Sequence, residues 1–159
     1  MKSDISDADT SKLHTELNPE LAVFIYGTLK PGGRYHIRFC GRYLTEAIPA
    51  MAKGRLYDFP YLGYPAMTEG EDWVKGYLLR FVQSAETCAS ILQGLDRLEG
   101  YSPERNDFGN EYLRCEVQVF DVEQQPLQVA WGYVMTEMGV RSRGGIYLPD
   151  GNWPSSGGR

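Results

Sequence analysis

The chain has 159 residues, 42% of them hydrophobic and 13% aromatic, which suits a single globular domain with enough apolar surface for a packed core. Its net charge is −5 with no block of Lys or Arg, which argues against a nucleic-acid-binding surface and against a polybasic membrane patch. No apolar run approaches the roughly 20 residues that span a bilayer, and residues 1–7 lack the apolar stretch of a secretory signal, so the expected location is the cytoplasm.

Residues 1–19 are polar and acidic and are expected to form a flexible leader. Leu21-Ala22-Val23-Phe24-Ile25-Tyr26 is a continuous apolar run ended by Gly27, the pattern of a strand buried on both faces. A turn-rich segment, Gly27 to Gly33, follows it, and then a weakly signalled short helix over 34–42. Strands are expected over 52–57, 64–67 and 73–81, where Gly76 marks a bulge or a close backbone approach. Ser84 then caps a helix with Glu86 in its first turn. Its apolar stripe is Cys88, Ile91, Leu92, Leu95 and Leu98, and Gly100 ends it.

Leu113, Cys115, Val117 and Val119 alternate with Tyr112, Arg114, Glu116 and Gln118, as in a strand. A turn at Gln124-Gln125-Pro126 pairs that strand with 127–135 as an antiparallel hairpin. Residues 141–159 are rich in Gly, Pro and Ser, with Trp153 as an aromatic anchor and 154–159 as a flexible tail. Strands outnumber helices and only one helix is strongly patterned. The expected architecture is therefore α+β: a small mixed β-barrel over 20–153 with one main packed helix and short additional helices.

Cys40, Cys88 and Cys115 are odd in number and widely spaced, so they read as small buried hydrophobes of a reducing compartment. His36 and Cys40 could share a helix face, but with His14 in the leader they supply too few ligands for zinc, and no metal site is expected. Gly27 and Gly32 have the spacing of a phosphate-binding loop, yet Gly33-Arg34 stands where Lys-Ser/Thr is needed.

Two places carry chemistry. At Tyr26-Gly27-Thr28-Leu29, a glycine at the end of a buried strand lets backbone N–H groups face a carboxylate or oxyanion; the plainer reading is a strand-to-loop turn. In Leu95-Asp96-Arg97-Leu98-Glu99-Gly100-Tyr101, Glu99 continues the apolar stripe while Asp96 and Arg97 are expected to face solvent. A carboxyl on the core side loses hydration, its pKa rises, and it becomes suited to moving protons near neutral pH. A fraying last turn that delivers Glu99 to water fits the position equally well.

Phe24-Ile25-Tyr26-Gly27-Thr28-Leu29-Lys30 resembles the opening strand and loop of the γ-glutamyl cyclotransferase-like superfamily, which includes γ-glutamylamine cyclotransferases and the plant avirulence-induced-gene-like proteins. Gly54-Arg55-Leu56-Tyr57-Asp58, Tyr64-Pro65-Ala66, Val74-Lys75-Gly76-Tyr77-Leu78 and the Glu99 segment are similar to the family's later strands and catalytic segment, in the same order. The resemblance covers residues 21–153. The acidic leader is extra, and Asp150-Gly151-Asn152-Trp153 only approximates the family's Ser-Gly-Asp-Trp ending.

What the resemblance implies is an enzyme acting on a small-molecule γ-glutamyl amide, without metal or organic cofactor. The substrate's α-amine would attack its own γ-carbonyl, releasing 5-oxoproline and an amine. Glu99 would be the general acid/base, with Tyr26, Gly27, Thr28, Leu29, Tyr112 and Tyr133 binding substrate and Tyr101 a further wall candidate. The alternative is a binding module that holds a small carboxylate or amine on the same fold without turnover. Arg141 and Arg143 beside Gly144-Gly145 read as a solvated loop ahead of an anion site. Neither the leaving amine nor the oligomeric state follows from the sequence.

Overall fold

The computed structural model describes residues 20–30 and 42–154; the leader at 1–19, the helix expected at 34–42 apart from Arg42, the residues His14, His36 and Cys40, and tail residues 155–159 lie outside the described residues. The strands are β1 (Glu20–Ile25), β2 (Glu46–Phe59), β3 (Tyr64–Val82), β4 (Leu113–Phe120), β5 (Pro126–Val134) and β6 (Ile146–Leu148). Their order is β3-β1-β5-β4-β2-β6, and β2 also pairs with β3. That extra pairing closes the first five strands into a barrel, with β6 lying along β2. Closure leaves few unpaired edges. β1 and β5 are parallel and the other pairs antiparallel, so the barrel is mixed.

Strand alternation divides the core in two. Phe24 of β1 and Tyr26 just beyond it, Ala50, Ala52 and Leu56 of β2, Val74 and Leu78 of β3, Val119 of β4 and Ala130 of β5 form one cluster, closed by Trp153. Because all five barrel strands contribute, this cluster fills the barrel. The opposite faces of β1, β3 and β5, carrying Val23, Ile25, Leu79, Phe81 and Tyr133, pack with Ile91 and Leu95 of helix α1 (Ala85–Leu98).

α1 begins as its sequence dictates: the Ser84 side chain accepts from the Thr87 N–H, and Glu86 lies in the first turn. It ends at Gly100, whose φ of +65° is the left-handed conformation that glycine adopts without strain. Gly76 is a close approach, since a Cβ there would collide with the Ile25 carbonyl of neighbouring β1.

Several expectations change. The strands expected at 64–67 and 73–81 are one strand, β3; its register against β2 jumps from Gly54↔Asp72 to Arg55↔Thr68, so the intervening residues bulge without ending the strand. A short helix, α2 (Glu137–Ser142), follows β5; short additional helices were expected, but none had been placed here. Thr136 caps it by accepting from the Gly139 N–H, a local bond that its two glycine-flanked turns gave little reason to anticipate. A 3-10 turn, Asp107–Gly109, lies between α1 and β4. Cys88 and Cys115 are half-buried. Among the described residues no helix is long and apolar enough to cross a membrane.

Candidate active site

A cavity of about 200 Å³ opens where the end of β1, the start of β3 and the end of α1 converge. Ile25 to Leu29 form one wall, Leu62 to Pro65 a second, and Leu98, Glu99, Glu111 and Tyr112 a third, with Tyr133 reaching in from β5. Every residue expected to bind or transform a substrate is therefore gathered there: Glu99, Tyr26, Gly27, Thr28, Leu29, Tyr112 and Tyr133.

The loop after β1 is built around Gly27. The Lys30 N–H donates to the Gly27 carbonyl at 3.0 Å, closing a turn, and a Cβ on Gly27 would stand 2.9 Å from the ring of Pro65. Glycine is required for the loop to lie against β3. Among the described residues, no protein acceptor takes the N–H of Gly27 or Thr28. Two free amides on a cavity wall are what an anion cradle needs. Lys30, just beyond, turns away from the cavity, its Nζ donating to the Trp153 carbonyl at 2.7 Å.

Glu99 is the C-cap of α1, its N–H donating to the Leu95 carbonyl at 2.9 Å. The helix therefore does not fray before it, and the apolar stripe carries it to the cavity. Among the described residues no side chain donates to its carboxyl. Burial first, and the negative charge of Glu111 second, raise the Glu99 pKa to about 8.

The tyrosines are walls with their hydroxyls already engaged. Tyr26 donates to the Tyr133 carbonyl at 2.6 Å and accepts from the Met67 N–H at 3.1 Å. Tyr112 donates to the Pro65 carbonyl at 2.5 Å. Burial, with the charge of Glu99 adding to it, keeps both well above the ordinary tyrosine range. Through these bonds Tyr26 ties β3 to β5 and Tyr112 holds the start of β3. Tyr101 does not line the cavity; it lies beneath the Arg114 guanidinium, 5.3 Å from ring centre to Cζ.

Asp96 corrects an expectation. It is buried, not solvent-facing, because Tyr133 donates to its Oδ1 at 2.7 Å and Arg114 pairs with its Oδ2 at 3.0 Å. Its helical position alone places it beside the stripe; what draws it inward is a partner arginine on β4 and a tyrosine on β5, neither visible in a single helix. Arg97 is exposed as expected. Arg141 is exposed too, whereas Arg143 is half-buried, donates to the Gly139 carbonyl at 3.1 Å and lies 3.9 Å from Glu111. That neighbour makes an anion site at Arg143 unnecessary to its burial.

Two cavity residues escaped the sequence reading. Tyr64 donates to Glu111 Oε2 at 2.8 Å, and burial followed by that bond pushes its pKa up to about 12. Glu111 precedes β4 in a loop where acidic residues are ordinarily solvated. Its one signal is Gly100, whose turn brings the Gly100 carbonyl to the Glu111 N–H at 3.1 Å.

The family described as gamma-glutamyl cyclotransferase, AIG2-like, matches residues 23–155. Among solved structures, an AIG2-like protein of Mus musculus is 18% identical with a TM-score of 0.56, covering 87% of this chain and 91% of its own. A gamma-glutamyl cyclotransferase is 18% identical with a TM-score of 0.52, covering 79% of this chain and 80% of its own. An Arabidopsis thaliana protein is 24% identical with a TM-score of 0.54, covering 73% of this chain and 68% of its own. These likenesses show the fold. No curated protein matches significantly.

Proposed function

The chain belongs to the gamma-glutamyl cyclotransferase, AIG2-like family, and from that premise we propose that it cyclises a γ-glutamyl amide to 5-oxoproline with release of an amine. The observation that carries the reading is one carboxyl, Glu99, without a side-chain donor among the described residues, its pKa raised to about 8, in the same cavity as the Gly27 and Thr28 amides, which no described residue accepts from.

In this reading, the amides of Gly27 and Thr28, with Leu29 beside them, hold the α-carboxylate or the oxyanion that develops on the γ-carbonyl. The α-ammonium gives one proton to Glu99, and the freed amine attacks the γ-carbonyl carbon of the same molecule. Ring closure releases a second proton from that nitrogen. The C–N bond to the leaving group breaks as its nitrogen takes up both protons, Glu99 acting as the relay. Atoms and charge balance: the lactam keeps one N–H and the product amine departs as an ammonium. Nucleophile and electrophile share one molecule, so the protein's task is to select the folded conformer and manage protons. A carboxyl with pKa about 8 is matched to that task, being able both to accept and to return a proton near neutrality.

The test is incubation with γ-glutamyl amino acids, γ-glutamyl-ε-lysine and glutathione, following 5-oxoproline by mass spectrometry. Glu99→Gln keeps the volume and removes the proton relay, so turnover is expected to fall by about 100-fold or more with the fold unchanged. Full activity in Glu99→Gln would remove Glu99 from its role. Thermal stabilisation by these compounds without any product would leave a binding module.

A further inference from the structure

The proton transfers above leave Glu111 unused, although it lines the cavity. Its place is fixed by local chemistry. Its N–H donates to the Gly100 carbonyl, and a Cβ on Gly100 would stand 3.1 Å from Glu111 Cβ, so the residue after Glu99 is a glycine against which Glu111 packs. The two carboxylate oxygens are treated differently. Oε2 accepts from the Tyr64 hydroxyl at 2.8 Å and lies 3.9 Å from Arg143 Nε. Oε1 accepts no hydrogen bond from the described residues.

The charge of the walls is one-sided. Of the described residues that line the cavity, Glu99 and Glu111 are acidic and none is Lys, Arg or His. Such a cavity favours a ligand with a positive group, and an ammonium, with three donors, can engage two carboxyls at once. The proximity is felt electrostatically, since Glu111 is the charge that acts on Glu99 after burial.

Glu99 cannot hold the substrate nitrogen by charge throughout the reaction, because accepting the proton neutralises it. A second carboxylate keeps the nitrogen in place at that moment. We propose that Glu111, with Oε2 fixed by Tyr64, uses its free Oε1 to hold the substrate's α-ammonium next to Glu99. This role rests on the cyclotransferase reading. Glu111 is then a substrate-binding group that takes no part in the proton transfers of Glu99, and Tyr64 is its positioning residue.

The experiment compares two ligands by calorimetry: a γ-glutamyl amide, and the corresponding glutaryl amide, which lacks only the α-ammonium. Binding is measured in the Glu99→Gln protein, which does not consume the first ligand, and in Glu99→Gln/Glu111→Gln. Glutamine at 111 still accepts from Tyr64. The expected result is that Glu99→Gln prefers the γ-glutamyl amide by about tenfold or more, as a charge-assisted hydrogen bond provides, and that the double variant loses this preference. Unchanged affinity for the glutaryl amide in the double variant shows that its fold is intact. A preference that survives Glu111→Gln overturns the role of Glu111 and leaves the cyclotransferase reading standing. Failure of Glu99→Gln to bind either ligand, when γ-glutamyl amides give no product with the unaltered protein, overturns both.

Discussion

Glu99 is an acid that the fold makes reluctant to ionise, and this has two consequences that share a cause. In the proposed role of base it must be deprotonated, so kcat/KM should rise with pH along a limb with its midpoint near 8. Removing the charge of Glu111 by Glu111→Gln should move that midpoint down, since Glu111 is the second cause of the rise. A limb that stays in place would mean that another group controls it. The stability effect has the opposite sign. Between the unfolded pKa, about 4.3, and the folded value the native state retains a proton that the unfolded chain has released, so stability falls as pH rises and levels off above 8. Glu99→Gln should therefore melt above the unaltered protein at pH 8, with the gap closing toward pH 4. Glu99 was legible as a candidate because the helical stripe leads to it and Gly100 marks the helix end, although a fraying last turn fitted equally well and the family resemblance supplied the role. Glu111 and Asp96 were not, because their surroundings come from Tyr64, Arg143, Arg114 and Tyr133, residues brought near only by the barrel.

At the scale of elements, strands and the main helix announced themselves through period and capping, and their connections did not. The β4–β5 hairpin and α1 follow from alternation, from Ser84 and from Gly100. β3 read as two strands because Glu69, Gly70 and Glu71 look like a turn; pairing along the whole of β2 carries the chain through them as a bulge. α2 was hidden since a six-residue helix has too few turns to display a stripe. Gly76 provides the sharpest test of this level. Gly76→Ala would drive a methyl group into the Ile25 carbonyl, in the part of β1 that leads into the Gly27 loop. A loss of about 3 kcal/mol or more is expected, beyond the usual cost of overpacking a core, and urea denaturation measures it. A near-neutral outcome would show that β1 can draw away from β3 without harm.

Across the whole molecule, the far end of the described chain is fastened to the loop near its beginning. Trp153 is buried in the barrel, its indole N–H donates to Asp58 Oδ1 at 2.9 Å, and its carbonyl receives the Lys30 ammonium at 2.7 Å. Trp153→Phe keeps an aromatic ring and the backbone carbonyl, and removes the indole donor together with the five-membered ring that carries it. It should cost about 1–3 kcal/mol, read as a lower urea midpoint at unchanged slope. That the tail carries an aromatic anchor was readable from composition; which groups it joins was not, because Lys30 and Asp58 are remote in sequence.

The parallel register of β1 with β5, Val23 opposite Trp131, also dictates an order of events during translation. β1 is among the first strands to emerge and its β5 partner the last of the barrel to be made. At roughly 5–20 residues per second the nascent chain waits for seconds with one flank of an apolar strand uncovered. For that interval the newborn polypeptide presents unpaired backbone and apolar side chains, the kind of surface that chaperones cover and through which neighbouring nascent chains can exchange strands.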